Sequence, residues 1–346
     1  MIVWNSIGRL VRAGVVTAGL SSLVAAAGPA AAAQPGGGHA GAAQVRVRYI
    51  SLPPGCGPVS VAVDPRKRAV WVNCVVRISE ATQRVSGRFP FGAAAVAVDP
   101  GLGVAWAAGS LNGTGTLAEI SEATSKVIHR IGCPSPPTAV AVDPRARTVW
   151  VISDLSVLAF SEVTHRLLHT VGLGLSVLQQ PWDLTVDPRA GTVWVSVRPA
   201  DDRRATRTFV AEISEARHKV IRTYPYRQAD GIAITAVDAA RGIVWMEVGN
   251  DMSPATVKVI RESTHRIVRT FTNVPVGPGG MVIDSRTRTV LATGRINDFK
   301  VLSEVSGKVI RSIYMRRLQA GVAVDENTGN VYVVSAPFPV VEQFRL

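Results

Sequence analysis

Ala139-Val140-Ala141-Val142, Asp143-Pro144-Arg145-Ala146-Arg147, Thr148-Val149-Trp150-Val151-Ile152 is the stretch that decides the fold. The first four residues are small or β-branched and alternate, which predicts a strand. Asp143-Pro144 predicts a turn, because proline fixes φ and an aspartate side chain can accept from the backbone N–H groups ahead of it. Thr148–Ile152 is a second β-branched run. A third strand is expected into Leu158-Ala159-Phe160, a turn at Ser161-Glu162-Val163-Thr164-His165-Arg166, and a fourth strand over Leu167–Val171. Four short antiparallel strands in about 44 residues make one propeller blade.

The same register recurs. Its turn aspartates are Asp64, Asp99, Asp143, Asp187, Asp238, Asp284 and Asp325. The second signature recurs at Ile78-Ser79-Glu80, Ile120-Ser121-Glu122, Ile213-Ser214-Glu215 and Leu302-Ser303-Glu304, with a degenerate copy at Ile260-Arg261-Glu262. Seven units predict an all-β, seven-bladed β-propeller. The last unit supplies only three strands, and Val45–Ile50 resembles a fourth strand. We therefore expect the N-terminal strand to complete the last blade and close the ring, which hides a strand edge. Trp71, Trp106, Trp150, Trp194 and Trp245 share one position in the second strand, taken by Leu291 and Tyr332 in units six and seven. Packing between blades is the expected role.

The first residues differ from the rest. Arg9 and Arg12 precede the apolar run Val15–Ala27, and Ala31-Ala32-Ala33 follows. That pattern predicts a signal peptide over 1–33; the run is too short for a spanning helix, which needs about 20 residues. Residues 34–43 read as a disordered Gly/Ala-rich spacer and 44–346 as a single propeller domain. The expected location is secreted or associated with the cell envelope, with no transmembrane segment once the signal is removed. Of the three cysteines, Cys56 and Cys74 come close together if the first two strands of unit one turn at Asp64–Arg68. A Cys56–Cys74 disulfide is expected, leaving Cys133 unpaired.

These motifs resemble the YVTN-type β-propeller repeats of exported bacterial and archaeal proteins. Val70-Trp71-Val72-Asn73 comes closest to that family's Val-Tyr-Val-x-Asn element, and the likeness runs from Gln44 to Leu346. The third-strand motif departs from it, with Ser-Glu in place of Ile-Asp. The resemblance implies the fold and an export address. Related rings include gluconolactonase-type lactonases and streptogramin lyases, which use a divalent metal at the top centre; fold likeness alone transfers neither activity.

The Asp-Pro and Ser-Glu turns are short and uniform, so we expect function on the opposite face, where loop length varies. Unit four carries the longest loop, with Arg203 and Arg204. Unit five follows, with Glu247 and Asp251. Asp183 and Asp230 lead into the first strands of those units. These six residues are the candidate binding set, with Asp183 and Asp230 the metal candidates, because a hard divalent cation needs several converging oxygens. No G-x-S-x-G or H-E-x-x-H motif is present, and the ring histidines fall on the uniform-turn side or the outer edge. The expectation is a monomeric, non-enzymatic binding scaffold without a cofactor, whose partner is a protein or an envelope polymer. A metal-dependent lactonase or lyase is the alternative. The formal net charge of +13 also admits nucleic acid or another polyanion, although many arginines sit on the predicted outermost strands, where charge discourages edge pairing.

Overall fold

The computed structural model describes residues 45–346 apart from 75, 89–91, 201–207, 227–231, 251–252, 278, 295–296, 318 and 337. Among the described residues, seven four-stranded antiparallel sheets form a seven-bladed β-propeller. Blades one to six span 61–88, 92–132, 139–172, 179–226, 232–274 and 281–314. Blade seven takes Gly321–Asp325, Asn330–Val334 and Val340–Arg345, and its fourth strand is Arg48–Ser51. That strand pairs antiparallel with Val340–Arg345, from Arg48 opposite Gln343 to Ser51 opposite Val340. The first strands of successive blades contact one another all the way round, so they form the innermost ring. The predicted signal peptide and spacer lie outside the described residues.

Strand alternation sends neighbouring residues to opposite seams. Val149 and Val151 pack with Trp106 and Leu117 of blade two. Trp150 and Ile152 pack with Val193, Val195 and Phe209 of blade four. Each blade thus has two apolar faces, and the core is a set of seams between blades.

Each turn aspartate is fully or almost fully buried. Asp143 Oδ1 accepts from the Arg145 and Ala146 N–H groups (2.7 and 2.9 Å), and six other turns repeat the bond two residues on. The Ser-Glu glutamates are buried too. The tryptophan Nε1 of one blade donates to the glutamate of the next: Trp71 to Glu122 (2.6 Å), Trp106 to Glu162 (3.0 Å), Trp150 to Glu215 (2.5 Å) and Trp194 to Glu262 (3.1 Å). Trp245 makes no such bond; Glu304 lies instead beside Arg288 and Arg241 (3.7 and 3.8 Å). At the seam of blades six and seven both partners are replaced. Leu291 stands in the aromatic position, and Leu346 makes the backbone bond (to Gly329 O, 3.3 Å) that the glutamates make in other blades.

Each glutamate also meets the turn aspartate of the preceding blade. The pairs are Asp64–Glu122, Asp99–Glu162, Asp143–Glu215, Asp187–Glu262, Asp238–Glu304 and Asp325–Glu80. Two facing carboxylates cannot both be charged at close range, so one proton is shared. Burial first, and the aspartate second, push Glu122, Glu215 and Glu262 up to about 8. Burial also raises Glu80 to about 7 and Glu162 to about 8.

The fourth strands depart from simple alternation. In blades one to six the register against the third strand shifts by one residue, as between Ala159 and Phe160 or Glu119 and Ile120. The extra residue explains the consecutive apolar pairs, such as Val127-Ile128 and Val309-Ile310. The bulge turns the second member outward, and Ile128 and Ile310 are 46 % and 60 % exposed.

Cys56 and Cys74 are joined by a disulfide, with Cα atoms 5.4 Å apart. It ties the segment leaving the closing strand to the loop after the second strand of blade one. Cys133 is free and buried. The bond closes a separation of 18 residues, so replacing both cysteines by serine is expected to remove about 3 kcal/mol of stability. Urea unfolding of the oxidised and double-serine proteins measures this; coincident midpoints would show the bond to be energetically idle.

Candidate functional site

The variable-loop side carries two polar constructions among the described residues. In the first, the strand Gln179–Asp187 of blade four is bulged between Pro181 and Asp183, with Trp182 the extra residue. The Arg198 guanidinium lies 3.4 Å over the Trp182 ring, and with the Gln180 side-chain amide turned over, its oxygen accepts from Arg198 Nε and Nη2 (2.8 and 2.7 Å). Asp183 Oδ2 accepts from the Thr235 N–H and hydroxyl (2.9 and 3.0 Å), and Thr185 donates to Thr235 O (3.2 Å). Burial raises the Asp183 pKa, against these Thr235 bonds. Asp183 therefore straps the innermost strands of blades four and five together.

The other five candidates divide. Glu247 was expected on the loop face but is fully buried. It lies two residues beyond Trp245 on the same strand, so it points to the same side, into the protein. Its two carboxyl oxygens have no hydrogen-bond partner, and burial raises its pKa well above the ordinary value. Arg203, Arg204, Asp230 and Asp251 lie outside the described residues.

The second construction is a groove of about 620 Å³ between blades six and seven. It is lined by Tyr49 and Ser51 of the closing strand, Arg316 and Arg317 of the crossing between the two blades, and Phe338 and Pro339 of the blade-seven loop. Arg316 stands 5.5 Å over the Tyr49 ring and Arg317 4.2 Å over Phe338. Both rings are 43 % exposed, so each presents a face to solvent beside a guanidinium. Glu342 is buried close by. Burial raises it to about 7, opposed by the charges of Arg317 and Arg316.

Sequence reading missed this groove because it ranked loops by length. The crossing is short and the Phe338 loop shorter still. The Arg316-Arg317 doublet was the available signal, and its meaning depends on the closing strand bringing Tyr49 from the far end of the chain.

No protein-family model and no curated protein matches the chain. Among solved structures, it is similar to a chain of Kuenenia stuttgartiensis hydrazine synthase, with 12% identity and a TM-score of 0.68, covering 84% of this chain and 96% of that one. It is also similar to the β-propeller domain of Myceliophteria thermophila Cps50 (Swd1), with 8% identity and a TM-score of 0.68, covering 87% and 100%. At such identities the likeness is one of fold. This chain is a seven-bladed β-propeller.

Proposed function

We propose that the protein is an exported, non-enzymatic propeller of the YVTN-like repeat type that binds an anionic envelope polymer in the groove between blades six and seven. The observation that carries this reading is the pairing of Arg316 and Arg317 with two half-exposed aromatic rings in one concave site. Guanidinium groups suit carboxylate and phosphate oxygens through paired donors, and an aromatic face adds stacking area for a ring-bearing polymer. The groove volume falls in the range of sites that hold a small ligand or a few units of a chain. The positive net charge would speed encounter with a polyanion. Export is supported by the sequence pattern of residues 1–33, and no helix among the described residues is long and apolar enough to cross a membrane. The lactonase or lyase alternative rests on Asp183 alone among the described residues.

Calorimetric titration of the full chain with a polyuronate, a polyphosphate and neutral dextran tests the reading. Both anionic polymers are expected to bind, more weakly as salt rises, and dextran is not. Arg316→Ala with Arg317→Ala should weaken binding at least tenfold. Unchanged affinity in that double variant would remove the groove as the site.

A further inference from the structure

The five ring histidines are not scattered. At three successive seams a third-strand residue, its fourth-strand neighbour and a turn residue of the next blade meet on the outer edge. At the seam of blades two and three these are Glu119, His129 and His165. At the next seam they are Ala159, His169 and His218, and at the one after Glu212, Arg222 and His265. His129 stacks on His165 with ring centroids 3.9 Å apart, and His169 on His218 at 3.2 Å. Glu119 pairs across strands with His129, and its Oε2 is 2.8 Å from His165 Nε2. At the Glu212 seam the other oxygen is already taken by the Tyr224 hydroxyl (2.8 Å), and one histidine is present. Among the described residues, only the first of these seams brings two imidazoles and a carboxylate together, with one ligand atom from each lying within 4.8 Å of the others.

We propose that Glu119, His129 and His165 form a zinc(II) site that clamps the outer edges of blades two and three, with a fourth coordination position open to solvent. Two imidazole nitrogens and one carboxylate oxygen are a known zinc donor set, whereas calcium and magnesium take oxygens. Tetrahedral zinc needs donors roughly 3.3 Å apart, and imidazole lone pairs lie in the ring plane, so His129 must swing out of its stack on His165 to turn a nitrogen toward the metal. Glu119 is buried and fixed by His165. His165 sits at a left-handed turn position (φ 59°), with its N–H bonded to Ser161 O (2.9 Å). His129 is exposed on an edge strand and supplies the movement. The site lies on the uniform-turn side, away from the groove and from Asp183, so it stands or falls independently of polymer binding.

The test is zinc titration of the EDTA-stripped full chain against a chromophoric chelator. One zinc per chain is expected at micromolar concentration, with a rise in Tm because zinc binds the folded state. Cobalt(II) should give the intense visible bands of a tetrahedral site. His129→Ala, Glu119→Gln and His165→Asn should each weaken zinc binding at least tenfold, while His169→Ala and His218→Asn leave it unchanged. His129→Ala removes an exposed side chain, so its metal-free melting should match the parent. Zinc binding that survives His129→Ala and Glu119→Gln overturns the proposal, as does loss on His169→Ala or no binding at micromolar zinc.

Discussion

Raising the pH from 5 to 9 is expected to lower the melting temperature steeply. Most small globular proteins are at their most stable between about pH 5 and 8; this one should be most stable near the acid end of that range. The cause is the ring of Asp–Glu pairs. Each seam glutamate prefers to stay protonated in the fold, with its pKa raised from the ordinary range to about 7 at Glu80 and about 8 at Glu122, Glu162, Glu215 and Glu262. In the unfolded chain the same groups ionise near 4.3. Between those values the folded state holds protons that the unfolded state has released. Stability is therefore fully present below about pH 4.3 and is lost as pH rises through 7 to 8. One proton of difference corresponds to about 1.4 kcal/mol per pH unit, and several seams act together.

Calorimetric unfolding at pH 6.5, in buffers of different ionisation enthalpy, should show several protons released per molecule. Asp143→Asn removes the charge facing Glu215 and should flatten part of the slope. A melting temperature that climbs between pH 5 and 8 would refute this account.

Trp150→Ala is expected to cost about 3–5 kcal/mol, enough to unfold a marginal ring. The side chain is 1 % exposed, and its Nε1 donates to Glu215 at 2.5 Å, so truncation opens a seam and strips a buried carboxyl of its donor. A matched pair separates these effects. Trp150→Phe keeps most of the volume and loses the bond, worth about 1.5–3 kcal/mol when the partner is a charged group and less when it is neutral. Trp245→Phe keeps the volume where no bond exists and should be markedly milder. Equal losses in the two phenylalanine variants would show the bond contributes nothing.

The blades could be read because their physics is local. Val140–Asp143 and Thr148–Ile152 carry strand alternation and turn chemistry within a few residues, and repetition averages out the ambiguity of any one copy. The tryptophans were legible as seam residues for the same reason. Their partners were not. The sequence placed the Ser-Glu glutamates in short, uniform turns and carried no sign of what they touch. The turn of one blade is buried by its neighbour, and Glu215 is held by Trp150 and Asp143, 65 and 72 positions away. Nor did alternation foretell the fourth-strand bulges; the consecutive pair Val127-Ile128 only makes sense once the register shift turns Ile128 outward.

What the sequence alone determined is thus the unit and its number: the strand order, the turns, the apolar faces and seven copies of them. What only the tertiary structure decided is everything made from two units at once. Asp183 proved to be a strap to Thr235, and Glu247 a buried carboxyl. Arg316 and Arg317 became a groove when Tyr49 arrived from the other end of the chain, and Glu119, His129 and His165 met across a seam. Strand pairing and turns follow from neighbours along the chain, whereas a site depends on the angle and distance between blades, which the packing of the seams fixes.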